Sequence, residues 1–587
     1  MAPAYSPALI PVLDWPFLYL SSVLGASPDE LKLTCSFLLS YPLTAILKRI
    51  PDRHPWQKNI FIICVSMFYL IGLFSLWSGL RTLAISSVMA YAISYFIQGP
   101  FMPWIGFVAL MGHMSVNHIF RQMVNDPGLV DVTGAQMVLV MKLTAFCWNV
   151  HDGRLPEEEL SQFQKERQIK QLPDFLDYAG YVLFFPGLFA GPAFDYADYK
   201  NYITTSMFEL PPGIDPSKAP PTRKKRKIPR SGTPAMYKMV SGLLWILAFL
   251  QFSGYFYQSF FLSPDFLKYG FLRRVFQVYM LGLTARMKYY GVWFLTEGAC
   301  ILSGIGYNGV DPKTGKANWD RLVNVKPMEI EFAQNVRGYL AGWNINTNSW
   351  LRNYVYLRVT PKGQKPGFVA TLATFVTSAF WHGFYPGYYL AFILASLDQT
   401  IAKHGRRLIR PFFMSPDGKT PGPYKRYYDF ACLILTQLTI TFVVIPFQFL
   451  TLSASIKVWA GVYFYGLVGT IACFVLLNSP VKGMLLKQLK ARSSKPGLER
   501  TVSSTSVADD DMNSTLGLPH DPEFEMQQIM KGVREEIEAR KRRGSTVPDI
   551  RDLLQQKLDE FRRDQQQGKQ KTAAAERLES KLSGKSD

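Results

Sequence analysis

Residues Pro366 to Leu397 read PGFVATLATFVTSAFWHGFYPGYYLAFILASL and contain no Asp, Glu, Lys or Arg. A helix that crosses a bilayer needs about 20 mainly apolar residues, so this run is a candidate transmembrane segment. One histidine, His382, stands near its middle. An ionisable side chain at membrane depth is costly and is therefore a functional candidate. A core or interfacial histidine bonded to a carbonyl is the alternative, and position alone does not decide between them.

Charge-free runs of similar length recur along the chain, and shorter or singly charged runs add weaker candidates. Charged residues make up 18% of the chain, below the quarter or so that is typical of soluble proteins. This pattern predicts an all-α, polytopic transmembrane helical bundle with about ten or eleven spans. The longest further runs are Asn59 to Leu80, Thr82 to Phe120, Met239 to Pro264, Phe430 to Ile456 and Val458 to Val481. The weaker candidates are Leu33 to Leu47, Gly134 to Asn149, Ala179 to Phe194 and Phe271 to Leu302.

The net charge of +20 is concentrated in the loops between these runs. Basic clusters often bind nucleic acid, but in a polytopic protein the positive-inside rule explains them better and predicts that these loops are cytoplasmic. Basic clusters in such loops can also contact anionic lipid head groups. The basic segments are Lys48 to Lys58, Arg223 to Lys227, Lys403 to Arg410 and Lys482 to Arg492.

The character of the chain changes after Lys482. We predict a membrane-embedded core at residues 1–482 and a charged cytosolic tail at residues 483–587, disordered to helical. Ser493 to Asn513 is rich in Ser and acidic residues, which is typical of disorder. The six cysteines show no metal-ligand spacing, so we expect neither a zinc site nor disulfides.

A second polar segment precedes the His382 run. Residues Gly342 to Arg358 read GWNINTNSWLRNYVYLR, in which polar side chains alternate with large aromatics just before a span. An amide in this setting either caps a helix or holds a ligand, and composition does not decide between the two.

Together the two segments resemble the signature region of the membrane-bound O-acyltransferases, and most closely their lysophospholipid branch. The resemblance extends from about Leu9 to Val481. The tail lies outside it. The pattern consists of Trp343-Asn344, Trp350-Leu351, Tyr356-x-Arg358, an apolar helix, Trp381-His382-Gly383 and Pro386-Gly387-Tyr388. Weaker supporting segments are Asp131 to Met137, Phe185 to Pro192 with Tyr196 and Tyr199, Tyr307 to Gly309, and Trp319-Asp320.

The resemblance implies that His382 and Asn344 are the catalytic residues. A neutral imidazole at His382 would take the proton of an attacking alcohol. The amide of Asn344 would orient the acceptor or donate to the developing oxyanion. Asn346, Asn348 and Asn353 lie close by and remain alternatives to Asn344.

Substrate-binding candidates flank these two residues. Trp343, Trp350 and Trp381 are the aromatic ones. The basic residues Arg358, Lys362 and Lys365 either hold the phosphates of CoA or only reflect membrane topology.

The function implied is acyl-CoA-dependent esterification of the free hydroxyl of a lysophospholipid, at sn-2, in phospholipid synthesis and remodelling at the endoplasmic reticulum. Acyl-CoA is a co-substrate, and we expect no metal or other cofactor and no nucleic acid. Membrane lipids are the expected surroundings. Alternatives are another acceptor (diacylglycerol, a sterol or a peptide), a transporter whose histidine lies on a substrate path, or an inactive scaffold.

Overall fold

The computed structural model describes residues 13–24, 26–124, 132–210, 219–311, 314–360, 368–415 and 420–493. Within these ranges the chain is helical and contains no β-strand. The first twelve helices are α1 Trp15–Leu24, α2 Pro28–Leu47, α3 Pro55–Met67, α4 Trp77–Phe96, α5 Met102–Val124, α6 Thr133–Asp152, α7 Gln162–Arg167, α8 Phe175–Val182, α9 Tyr196–Ile203, α10 Gly232–Ser253, α11 Gln258–Phe261 and α12 Pro264–Leu267.

The remaining helices include the longest one and those that carry the predicted site. Turns of π-helix occur at Phe68–Leu73 and Arg352–Tyr356. The helices are α13 Phe271–Ser303, α14 Pro327–Glu331, α15 Val336–Gly342, α16 Ile345–Leu351, α17 Phe368–His382, α18 Pro386–Leu408, α19 Lys425–Val443, α20 Ile445–Phe449, α21 Leu452–Gly461, α22 Tyr465–Asn478 and α23 Pro480–Ser493.

Among the described residues, three helical segments are long and apolar enough to cross a membrane. They are Pro55–Leu73, Gly232–Ser253 and Lys425–Phe449. The pair α21 and α22, bent by 82°, makes a fourth if it is counted as one broken span. These three or four segments are fewer than the ten or eleven spans predicted from the sequence.

Charged and polar side chains inside the other long helices account for much of this difference. The helix α13 has 33 residues, about 50 Å at 1.5 Å per residue, and buries Arg286 and Glu297. The helix α6 buries Lys142 and ends at the buried Asp152. Such residues lower the mean hydropathy of a segment even where partners inside the bundle satisfy them.

The packing of α10 on α13 depends on glycine. The backbones approach so closely that a Cβ atom on Gly242 would lie 3.0 Å from the carbonyl oxygen of Gly291. An ion pair of 2.8 Å between Lys238 and the fully buried Glu297 joins the same two helices. Tyr41 of α2 adds a hydrogen bond of 2.9 Å to the carbonyl of Leu295. Small residues that let helix backbones meet are a common basis of helix association in membranes.

The opposite face of α10 is apolar and exposed. Val240, Leu244, Leu247 and Leu250 all point outward along this face. A contiguous exposed apolar surface on a helix of this length is the surface that lipid tails would cover. The exposed face of α10 therefore agrees with the predicted membrane protein.

Two of the predicted cytoplasmic segments contact each other through Asp52. Its carboxylate accepts a hydrogen bond from the backbone N–H of Lys227 at 3.0 Å and pairs with the fully buried Lys58 at 2.6 Å. Arg226 donates to the carbonyl of Arg49 at 2.7 Å. The basic loops 48–58 and 223–227 thus lie at one end of the bundle.

The predicted boundary at residue 482 falls inside a helix. The helix α23 runs from Pro480 to Ser493 and packs against α18 and α22. The rest of the predicted tail, residues 494–587, lies outside the described residues.

We predict that Gly291→Val destabilises the protein, because its side chain would meet Ile246 at 2.6 Å and the carbonyl oxygen of Gly242 at 3.0 Å. Overpacking of this kind costs about 1–3 kcal/mol. The thermal midpoint of the purified protein in detergent measures the effect. The matched control is Gly112→Val, because Gly112 is exposed on α5 with open space around it. Equal midpoints for the two variants would contradict the packing argument.

Candidate active site

His382 is the last residue of α17, where a tight turn ends the helix. Gly383 follows with φ +119°, a left-handed conformation that favours glycine. Its N–H donates to the carbonyls of Ala379 at 3.2 Å and Phe380 at 3.1 Å. The indole of Trp381 donates to the carbonyl of Met137 in α6 at 3.0 Å. The position of His382 is therefore set by a helix end that is fixed to a neighbouring helix.

Aromatic rings enclose the imidazole of His382. The ring centroids of Trp381, Tyr388, Phe392 and Phe447 lie 4.7, 5.5, 5.4 and 4.8 Å from its own. Within the described part of the chain, neither ring nitrogen makes a hydrogen bond. His382 is thus not a core histidine held by a carbonyl, and its basic nitrogen is available in an apolar setting.

Asn344 lies in the break between α15 and α16. Its backbone adopts the left-handed conformation, with φ 46° and ψ 53°, which asparagine tolerates better than most residues. The hydroxyl of Thr347 donates to the side-chain oxygen of Asn344 at 2.9 Å. Because this contact occupies the oxygen, the amide NH₂ group points elsewhere, and it has no partner among the described residues.

The three neighbouring asparagines have their amides engaged. Asn346 donates to the side chain of Asn324 at 3.0 Å. Asn348 donates to the carbonyls of Leu340 and Trp343, both at 2.8 Å. Asn353 donates to Ser349 at 3.2 Å. Of the four candidates, Asn344 alone keeps its amide N–H groups unbonded within the described chain.

The three tryptophans join the segments that carry Asn344 and His382 to the bundle. Trp343 packs among Tyr289, Tyr290 and Trp293 of α13, with centroid distances of 5.6, 6.0 and 5.0 Å. Trp350 donates to the hydroxyl of Thr144 at 2.9 Å. The rings of Trp350 and Trp381 lie 6.3 Å apart and connect α16 to α17.

Arg358 does not lie on an open rim. Its guanidinium makes two hydrogen bonds to the carboxylate of Asp152, whose side chain is fully buried. It also lies over the ring of Trp148, 4.4 Å from the centroid. Binding of CoA phosphate by Arg358 would have to compete with this ion pair. Lys362 and Lys365 lie outside the described residues.

A charged cavity of about 120 Å³ adjoins the segment of Asn344 and was not predicted from the sequence. Two ion pairs line it, Arg167 with Asp195 at 2.8 Å and Arg321 with Asp198 at 2.9 Å. Trp350 forms part of its wall, and the ring of Trp350 lies 6.3 Å from that of Trp381. The remaining lining residues include Lys142, Asn346, Ser349 and Tyr354.

Sequence reasoning also missed the walls of the His382 site. Phe392 and Phe447 are apolar residues in apolar runs, so nothing in the local pattern distinguishes them. For the cavity, the signals were the candidates Trp350 and Asn346, which line it, and the segment from Phe185 to Pro192 with Tyr196, which brackets Asp195.

The chain is similar to one protein-family model and to several known proteins. The model of the membrane-bound O-acyltransferase family, MBOAT, matches residues 125–445, which include Asn344 and His382. A lysophospholipid acyltransferase of Schizosaccharomyces pombe is 44% identical over 517 residues, 88% of this chain and 99% of that protein. A lysophospholipid acyltransferase of Saccharomyces cerevisiae is 42% identical over 497 residues, 82% of this chain and 80% of that protein.

A more distant relative is the human membrane-bound glycerophospholipid O-acyltransferase 2, which is 29% identical over 445 residues, 75% of this chain and 81% of that protein. The family model covers more than half of the chain, and the similarity to the fungal proteins extends over most of it. With the Asn344 and His382 segments brought into one helical bundle, the chain belongs to the membrane-bound O-acyltransferase family.

Proposed function

We propose that this chain transfers an acyl group from acyl-CoA to the free sn-2 hydroxyl of a lysophospholipid. The observation that carries the proposal is the imidazole of His382, enclosed by aromatic rings and without a hydrogen-bond partner among the described residues. The names of the fungal relatives support a lysophospholipid acceptor.

The proposed reaction is a direct transfer. The acceptor oxygen attacks the thioester carbonyl while a basic nitrogen of His382 removes the hydroxyl proton. A new C–O bond forms, the C–S bond breaks, and CoA leaves as a thiolate that receives the proton. An alcohol is a poor nucleophile while it keeps its proton, so the base is essential.

Asn344 supplies hydrogen-bond donors in this mechanism. Because Thr347 donates to the side-chain oxygen of Asn344 at 2.9 Å, the amide N–H groups face away from Thr347. They are suited to hold the acceptor hydroxyl or the oxyanion that forms on the thioester carbonyl. A thiolate is a good leaving group, so we propose neither a metal nor a covalent enzyme intermediate.

The charged cavity supports an anionic donor substrate. Arg167 and Arg321 line it, each paired with an aspartate, and Lys142 adds a third basic side chain. It is far smaller than CoA and would hold only part of that molecule. Its wall at Trp350 lies next to Trp381, which places the cavity two indole rings from His382.

We further propose that the protein resides in the endoplasmic reticulum membrane, among the lipids that it remodels, with the residues after 482 in the cytosol. The basic side chains of α23, among them Lys482 and Lys487, follow the last apolar helix and favour this orientation.

The first test uses purified protein, labelled acyl-CoA and a panel of acceptors. We expect transfer to lysophospholipids, and for His382→Ala a loss of about a hundredfold or more, the usual contribution of a general base. The control is His404→Ala, because within the described residues His404 bonds to the carbonyl of Thr400 on its own helix and to no other group. Transfer only to diacylglycerol, a sterol or a peptide would favour another acceptor, and no transfer to any of them would favour the transporter.

A second experiment separates the amide of Asn344 from its backbone. Asn344→Gly keeps the left-handed conformation without strain but removes the amide. We expect kcat to fall by about a hundredfold or more, as when an oxyanion donor is lost. Asn353→Ala should stay within about fivefold of wild type, because the amide of Asn353 donates to Ser349 and does not line the charged cavity. A Gly variant with near-normal kcat would mean that Asn344 contributes conformation, not chemistry.

The basic residues after α16 give a third prediction. If Lys362 and Lys365 hold CoA phosphates, Lys362→Ala/Lys365→Ala raises KM for acyl-CoA and leaves KM for the lysolipid unchanged. Arg358→Ala should instead lower the thermal midpoint, because the buried Asp152 carboxylate loses its arginine partner. Equal changes in both KM values for the lysine variant would contradict a role in CoA binding.

A further inference from the structure

A second histidine contacts the turn that carries His382. His118 lies on α5 and is 7% exposed. Its Nε2 atom is 3.1 Å from the carbonyl oxygen of Trp381. Because a carbonyl can only accept, Nε2 carries the hydrogen and donates it. The contact fixes the tautomer of His118 and joins α5 to the end of α17.

The carbonyl of Trp381 has a particular need for such a partner. The last four carbonyls of an α-helix accept no hydrogen bond within the helix, because the residues that would donate to them lie beyond its end. Trp381 is the penultimate residue of α17, and its side chain is buried. An unpaired carbonyl in this apolar setting is costly, and a shift that paired it elsewhere would move His382.

The ring of His118 also packs against the turn itself. A Cβ atom placed on Gly383 would lie 3.1 Å from Nδ1 and 3.3 Å from Cγ of His118. The imidazole therefore occupies the space beside Gly383 that a side chain would otherwise need. The turn is held from two sides, by His118 from α5 and by the carbonyl of Met137 in α6, which accepts from Trp381.

Further hydrogen bonds fix α5 relative to its neighbours. Asn117 donates to Gln136 of α6 at 2.5 Å. His113 shares a hydrogen bond of 2.9 Å with Ser86 of α4. Asn117 is adjacent to His118, so its bond to Gln136 holds α5 at the point from which His118 reaches Trp381, whereas His113 lies more than one turn earlier.

We propose that His118 is a positioning residue that holds the Trp381–Gly383 turn so that the imidazole of His382 faces the substrates. The inference rests on the proposed function of His382. His118 acts on the backbone of the turn and does not itself exchange protons with the acceptor. Displacement of a catalytic group by about 1 Å is enough to cost about a hundredfold in rate.

The test compares His118→Ala with His118→Gln in the full-length protein. The amide N–H of glutamine can replace the Nε2 donor, whereas alanine cannot. We expect kcat to fall at least about tenfold for the Ala variant and to stay within about threefold of wild type for the Gln variant. KM for acyl-CoA should stay unchanged in both, because His118 is not among the residues that line the charged cavity.

The matched control is His113→Ala, on the same helix. His113 bonds to Ser86 and Gln136 and does not contact the turn. We expect its kcat to stay within about twofold of wild type. A similar loss for His113→Ala and His118→Ala would show that any damage to α5 lowers activity, and would overturn the specific role.

Other outcomes are equally decisive. A normal kcat for His118→Ala overturns the proposal. A folded His118→Gln variant that is as inactive as His382→Ala also overturns it, because the imidazole of His118 would then take part in the chemistry. If His118→Ala does not accumulate in membranes, the Gln variant carries the test. Measuring His382→Ala in parallel keeps the two hypotheses apart, because activity in that variant contradicts the proposed function whatever His118 does.

Discussion

The close contact between α10 and α13 determines where the rest of the bundle can lie. Two helices that meet backbone to backbone at Gly242 and Gly291 have little freedom to slide or rotate. The ion pair of Lys238 with Glu297 fixes the same register. Within two residues of Gly291, α13 presents the aromatic side chains that hold Trp343 and hence the break at Asn344. The contact between α10 and α13, which includes neither catalytic residue, therefore helps to position Asn344.

Polar groups in the apolar interior fall into two classes. Most have their hydrogen-bonding capacity filled and serve as connections between helices, as Asn348, Gln136 and His118 do. Within the described chain, the amide N–H groups of Asn344 and the ring nitrogens of His382 form no hydrogen bond. Leaving a polar group unbonded costs stability. Other buried polar atoms of the described chain are unbonded too, among them both amide atoms of Gln399, so Asn344 and His382 are distinguished by the family pattern and by the aromatic enclosure of His382 as well.

The fold class was predictable because charge-free runs of 20 residues or more have few explanations besides a membrane bundle. His382 and Asn344 stood out for related reasons, as polar residues in apolar surroundings with a family pattern about them. The number of spans was less accessible, since α13 buries Arg286 and Glu297 against partners that local hydropathy ignores. A sequence also cannot reveal contacts between distant segments. Asp152 lies 206 positions from Arg358, and the cavity combines side chains from five separate stretches of chain.

The left-handed turn at Gly383 has a consequence for protein engineering. The turn is specified by Trp381, Gly383 and the helices α5 and α6, whereas the opposite walls of the site come from Tyr388 and Phe392 on α18 and Phe447 on α20. The orientation of the His382 imidazole and the shape of the aromatic site around it therefore depend on different parts of the chain. Substrate preference can be redesigned by exchanging the wall residues for smaller or larger ones, while the backbone that aims His382 is left unchanged.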